Sequence, residues 1–149
     1  MGGPGSVSSY LRSTGDTVTR LDRAEPSLNE NLPGDVRDTT TPGAMVAGMR
    51  RILVGDALRS DSRLRLLDSM KRCRTGMKRL RAGLPAGWIA GDKTGTGERG
   101  AANDVAIVWG PGGRPPILIA AYLSDSTATL EALSAAHARI GRIVASAFT

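Results

Sequence analysis

The hydrophobic period of this chain switches from helical to strand-like and back, and that switch constrains the fold more than any other feature. Gly87 to Lys93, Val105 to Trp109 and Ile117 to Leu123 read as three strands. Gly110-Pro111-Gly112-Gly113 supplies a turn between the last two, so they are expected to form a hairpin. From about Thr127 to Phe148 helical spacing takes over, with Leu130, Leu133, His137, Ile140, Val144 and Phe148 on the face expected to be buried. Helices, three strands and a last helix predict an α/β fold of the α+β type, with helices packed on an antiparallel sheet. A helix on one face leaves the other face and at least one edge of such a sheet to be covered.

Ahead of the strands the spacing is helical but interrupted. Ser6 to Thr14 reads as a short helix with Val7, Tyr10, Leu11 and Thr14 on one face, and Gly15 stands where a C-terminal cap belongs. From Asp16 to Thr40 all periodicity is lost, and a loop this long inside a compact domain is usually functional. Thr41-Pro42 then reads as an N-cap followed by proline at the first helical position. Met45, Met49, Ile52 and Leu53 follow at helical spacing up to Gly55-Asp56. A further helix runs from about Ser60 to Lys71, with Leu64, Leu67 and Met70 on its stripe.

Composition excludes several classes of function. The 149 residues suit one domain. The net charge of +6 is partly concentrated in Lys71-Arg72-Cys73-Arg74, Lys78, Arg79 and Arg81. That stretch has no interleaved aromatics and no nucleic-acid motif, so it reads as a solvated helix end and loop. Cys73 is the only cysteine, which excludes an intrachain disulfide, and it reads as incidental. One His and one Cys cannot build a zinc site, and no metal or other cofactor is implied. No apolar run is long enough to span a membrane.

Three segments carry candidate chemistry. In Arg23-Ala24-Glu25-Pro26-Ser27-Leu28-Asn29, a carboxylate and an amide four residues apart converge on one water if the segment makes a helical turn. Read alone, the segment is more simply a solvated loop with a capping side chain. Arg23 and Asp38 bracket the loop and are placed to pair across its neck, where an exposed pair contributes little stability. Asp92-Lys93-Thr94-Gly95-Thr96-Gly97 ends the first strand. Its lysine and hydroxyls suit a carboxylate, and the Thr96 N–H suits an oxyanion. Alone, K-T-G is also just a strand followed by a turn.

Taken in order, these segments resemble class A serine β-lactamases, in which K-T-G follows an active-site loop holding a catalytic Glu. The resemblance extends through Gly2-Gly3-Pro4, Leu21-Asp22-Arg23, Arg81-Ala82-Gly83-Leu84-Pro85-Ala86-Gly87-Trp88, Gly97-Glu98-Arg99-Gly100 and Asn103-Asp104. It implies part of a β-lactamase/transpeptidase-like fold: residues 1–85 from the all-α region with its Ω-loop, 86–149 from the α/β region. It also implies a role for each residue. Glu25 is the general base for the deacylating water, and Asn29 helps hold that water. The Glu25–Pro26 peptide is cis, and Arg23 and Asp38 form the neck salt bridge. Lys93, Thr94, Gly95 and Thr96 bind the substrate carboxylate. Arg79 matches an arginine that adds to carboxylate binding in some members; the alternative is one more solvated arginine.

The family's nucleophilic motif S-x-x-K is absent, because Asp68, Thr75 and Ala90 stand three residues before Lys71, Lys78 and Lys93. S-D-N is absent too, with Ser60-Asp61-Ser62 and Ser124-Asp125-Ser126 the nearest approaches. In the family both motifs precede the Gly-Gly-Pro segment, so truncation is the expected explanation. The implied function is β-lactam hydrolysis through an acyl-serine intermediate, with penicillins and cephalosporins as substrates. The alternative is an inactive fragment or a complementing half. A D,D-peptidase relative is disfavoured by the Glu25–Asn29 loop. The family is periplasmic or secreted and the full-length protein is expected to be monomeric, whereas Met1-Gly2-Gly3-Pro4-Gly5-Ser6 has no signal-peptide character.

Overall fold

The computed structural model describes residues 2–148, so Met1, the first residue of the leader reading, lies outside it. Helix α1 (Gly3–Ser13) begins three residues earlier than its apolar face suggests, because Pro4 suits a first turn. Gly15 follows it at φ +84°, a conformation open to glycine at little strain. Val7 and Tyr10 stay exposed on the apolar face of α1, and none of its described residues is buried. Helix α2 (Pro42–Met49) starts as expected, with the Thr41 hydroxyl accepting the Ala44 N–H at 3.1 Å. It runs on into a wider π turn, Arg50–Val54, closed by the Gly55 N–H on the Arg50 carbonyl at 2.8 Å. Helix α3 spans Ser60–Lys71, with Met70 buried but Leu64 facing solvent.

Strands β1 (Ile89–Thr96), β2 (Ala102–Trp109) and β3 (Ile117–Leu123) form one antiparallel sheet in that order. β1 runs three residues past its expected end, and β2 begins three residues before its expected start. Those extensions pair with each other, Lys93 opposite Val105 through Thr96 opposite Ala102. Backbone pairing holds them together, and their Gly, Thr and Asn residues hide the strand from a hydrophobic reading.

Strict alternation divides the sheet's two faces. Ala90, Ala106, Val108, Ile119 and Ala121 form one core with Leu80 and with Ile140 and Val144 of helix α4 (Leu130–Ser146). On the other face Ile107, Val105 and Leu118 meet Met49, Leu53 and Met70, so α2, its π turn and α3 cover the side that α4 leaves open. Leu80, Ile107 and Val108 are fully buried, each contributing about 1.5–3 kcal/mol of transfer free energy. Leu130 and Phe148, expected in the buried face of α4, are exposed at its ends. The buried positions are Leu133, Ser134, His137, Gly141 and Ala145. The turn Leu80–Gly83 packs so closely on α4 that a Cβ on Gly141 would collide with the Leu80 carbonyl, and one on Gly83 with that of Ala138. Close approach selects small residues, which a search for large apolar ones passes over. Among the described residues, no helix is long and apolar enough to cross a membrane.

Candidate active site

The long loop is closed at its neck by two aspartates that bond each other's backbone. Asp38 accepts the Asp22 and Arg23 N–H groups at 2.7 and 2.9 Å, and Asp22 accepts the Asp38 N–H at 3.0 Å. Arg23 Nε donates to the remaining Asp38 oxygen at 2.6 Å. Sequence alone suggested an exposed pair, but the Asp38 side chain is only 5% exposed. Arg23 also donates to Glu30 at 2.7 Å and lies 3.7 Å from Asp35. Burial by itself pushes the Asp38 carboxyl up, but the Arg23 side chain and the two N–H groups outweigh it and hold it below the ordinary aspartate range. The Arg20 hydrogen bonds, at 2.7 and 2.6 Å, draw Asp22 down to about 2. Asp38 has φ +57°, a left-handed conformation that aspartate tolerates better than most residues.

Inside the closed loop the chain makes the helical turn that the Glu25–Asn29 spacing required. Ser27–Asn29 is a 3₁₀ turn, the Leu28 N–H reaches the Ala24 carbonyl at 3.3 Å, and the Glu25–Pro26 peptide is cis. Asn29 Nδ2 donates to Glu25 Oε2. That bond fixes the amide's orientation and leaves its carbonyl oxygen as an acceptor beside a carboxylate. Further bonds tie the loop to two strand ends: the Glu98 N–H, just past β1, donates to the Asn29 carbonyl at 2.9 Å, and Asn31 Nδ2 donates to the Oγ of Ser124, just past β3, at 3.0 Å. A Cβ on Gly97 would sit 2.9 Å from the Asn29 carbonyl oxygen, so glycine permits this approach.

The end of β1 faces the loop. Lys93 is exposed, with Nζ donating to the Thr94 carbonyl at 2.6 Å and two further N–H donors left over. Thr94 and Thr75 share a hydroxyl hydrogen bond at 2.6 Å. Arg79 is not a solvated arginine, being only 4% exposed. Its guanidinium reaches the Asn103 carbonyl at 2.6 Å, the Gly95 carbonyl at 2.9 Å and Thr96 Oγ1 at 2.6 Å, bracing the last pairs of β1 and β2 from behind. Because Arg79 donates to the Thr96 hydroxyl, that hydroxyl keeps its own proton to give to an anion.

Beneath this end of the sheet lies a layer of charge. Asp92 and Asp104 are fully buried on the same sheet face, Asp92 opposite Ala106 and Asp104 opposite Thr94. Arg81 pairs with Asp92. The Leu80 N–H donates to Asp104 at 3.0 Å. Burial, with Asp92 close by, pushes the Asp104 carboxyl up to about 7. His137 is buried on α4 with Nε2 2.9 Å from the Ala102 carbonyl, and burial lowers its pKa.

Glu25, Asn29, Lys93, Thr94, Gly95 and Thr96 line one cleft of about 530 Å³ between the loop and β1. Arg23 and Asp38 stand at its loop end, while Arg79 lies behind the strand. Sequence reasoning missed Thr75, Asn31 and Asn103. Asn103 had a discoverable signal in its register opposite Gly95, whereas Thr75 and Asn31 act through tertiary contacts that no local pattern announces.

The model of the Beta-lactamase enzyme family matches residues 1–148. A β-lactamase of Mycobacterium tuberculosis is 52% identical over 129 residues, covering 84% of this chain and 41% of that protein. β-Lactamase AER-1 of Aeromonas hydrophila is 45% identical over 144 residues, covering 97% of this chain and 47% of that protein. Among solved structures, an ancestral class A β-lactamase of Gram-negative bacteria superposes with a TM-score of 0.96 at 55% identity, covering 99% of this chain and 56% of that one. A class A β-lactamase, PenP, from Rhodopseudomonas palustris superposes at 0.95 and 48% identity, covering 98% and 56%. The chain therefore spans about half the length of the proteins it matches. The family model, the identity to known β-lactamases and the superposition on class A structures place this chain in the class A serine β-lactamase family.

Proposed function

We propose that this chain carries the deacylation base and the carboxylate-binding wall of an enzyme that hydrolyses β-lactams through an acyl-serine. The supporting observation is that the Glu25–Asn29 turn and the Lys93–Thr96 strand end line one cleft, with the Glu98 N–H on the Asn29 carbonyl holding them together. In this reading a water sits between Glu25 and Asn29. Glu25 takes its proton as the water oxygen attacks the acyl-serine carbonyl. The tetrahedral intermediate then expels the serine oxygen, which recovers the proton, and the opened β-lactam leaves as its acid. Lys93, Thr94 and Thr96 hold the carboxylate already present on the substrate, and the Thr96 N–H serves the oxyanion. Arg79 is a positioning residue that acts through Thr96.

The serine itself lies in no S-x-x-K motif of this sequence. Catalytic groups that work as a unit lose most of their rate enhancement when one is missing. The purified chain is therefore expected to leave a chromogenic cephalosporin unhydrolysed, and turnover at ordinary enzyme rates would refute the reading. A second reading, that the chain is a complementing half, is favoured by an adjoining groove of about 410 Å³ on the other side of the loop neck. It is lined mainly by apolar residues including Val7, Leu11, Met45, Ile52 and Leu66, a surface suited to another part of the fold. Adding a separately produced family segment that bears S-x-x-K and S-D-N should then restore hydrolysis. In that complex Glu25→Gln should still acylate but accumulate the acyl-serine, visible by mass spectrometry; undiminished turnover would remove Glu25 from its role.

A further inference from the structure

We propose that the basic groove between the Arg74–Arg79 segment and the first turn of α4 is a binding site for a phosphate monoester with an apolar body. The groove, about 720 Å³, shares no lining residue with the cleft of Glu25 and Lys93. That volume lies in the ordinary range of small-molecule sites.

The charge of this region is accounted for residue by residue, and two cations are left over. Lys71 lies 4.5 Å over the Trp109 ring, Arg72 pairs with Asp68, and Arg81 pairs with Asp92. Arg79 is spent on two carbonyls and Thr96. Arg74 and Lys78 have no hydrogen bond or ion pair among the described residues, and both line this groove. A dianion matches two cations, and a phosphate monoester is close to doubly charged near neutrality.

The opposite wall is the N-terminus of a seventeen-residue helix. Thr129 caps it by accepting the Ala132 N–H at 3.2 Å, and the positive end of the helix dipole adds to the two cations. Ser134 supplies an independent pointer to a ligand. A serine inside a helix either returns its hydroxyl to a carbonyl of the preceding turn or turns it outward. Ser134 lines the groove at only 8% exposure, and its hydroxyl has no partner among the described residues. Its hydroxyl opens into the same groove that Arg74 and Lys78 line, and is suited to an oxyanion there. Met77 and Leu130 form the apolar part of the wall, which fits the organic body, and Glu131 is the one acidic residue that lines it.

The test is a titration of the 149-residue chain with phenyl phosphate, followed by amide and methyl NMR shifts, with benzyl alcohol as the uncharged counterpart. Saturable shifts are expected at the Glu131 and Ser134 amides and the Met77 methyl, with benzyl alcohol far weaker. R74Q/K78Q changes two exposed side chains and should weaken phenyl phosphate by about tenfold. S134A should weaken it by about threefold, and E131Q should tighten it. Equal binding of benzyl alcohol, shifts that never saturate, affinity unchanged in R74Q/K78Q, or an undispersed spectrum with no groove to fill would each overturn the proposal.

Discussion

Replacing Asp104 by asparagine isolates the least comfortable group in the fold. Asp104 is fully buried; one carboxyl oxygen accepts the Leu80 N–H, and the other has no partner among the described residues. Burial first, and the nearby Asp92 as well, raise its pKa from 3.8 to about 7, while the Leu80 N–H and the charges of Arg79 and Arg81 offset only part of this. At ~1.4 kcal/mol per pH unit that displacement amounts to about 4 kcal/mol. The sign follows from linkage: the folded chain holds this proton more tightly than the unfolded chain. The contribution is therefore fully present below pH 3.8 and is lost as the pH rises through about 7. His137 confounds the raw pH profile, because its lowered pKa withdraws stability as pH falls below 6.5. The difference between Asp104→Asn and the parent cancels that term, and the asparagine oxygen still accepts the Leu80 N–H. Urea unfolding followed by far-UV circular dichroism should show the variant gaining on the parent by about 4 kcal/mol between about pH 4 and about pH 8. A difference that does not change with pH would refute the reasoning.

The neck makes a local prediction. Asp38→Asn places an amide N–H₂ against Arg23 Nε or the backbone donors, and should lower loop stability by about 2–3 kcal/mol, read as faster hydrogen exchange at Asp22 and Arg23. Exchange unchanged at those amides would mean that the neck is not held by Asp38. The lowered pKa values of Asp38, Asp22 and Asp16 give the loop stability that is complete above about pH 4 and lost as pH falls toward about 2, where Asp22 titrates. The check is loop exchange, corrected for its intrinsic pH dependence, against that of β2. Gly141→Ala should destabilise by about 1–3 kcal/mol despite a helix-propensity gain of ~1 kcal/mol, because its Cβ meets the Leu80 carbonyl; a raised melting temperature would contradict that contact.

What was legible in the sequence was what a short segment determines by itself. Thr41-Pro42 starts α2, Ser60 to Lys71 is helical, and the four-residue spacing of Glu25 and Asn29 gives a turn that joins their side chains. The misreadings share one physical cause. β1 beyond Lys93 is held by its partner strand, α4 is selected for small residues by a neighbouring turn, and the neck pair is buried by Asp22 as well as Arg23. Each depends on a second segment that the local pattern does not contain.

Arg79 carries the same point into the site. An arginine in a basic loop reads as solvated, and its neighbours Arg74 and Lys78 are exposed. Its acceptors come from positions 16, 17 and 24 residues away, and only the register that sets Gly95 opposite Asn103 brings their carbonyls within reach of one guanidinium nitrogen. The flat fork of arginine can span carbonyls of two strands and still give a second nitrogen to Thr96, whereas the single ammonium of a lysine would have to divide itself among them. Arg79→Lys should consequently disturb the Thr96 hydroxyl and the pairing of Gly95 with Asn103 while leaving the Glu25–Asn29 turn intact. Amide shifts confined to the ends of β1 and β2 would fit that division. Shifts spread equally through the loop would mean that the two walls of the cleft are mechanically one.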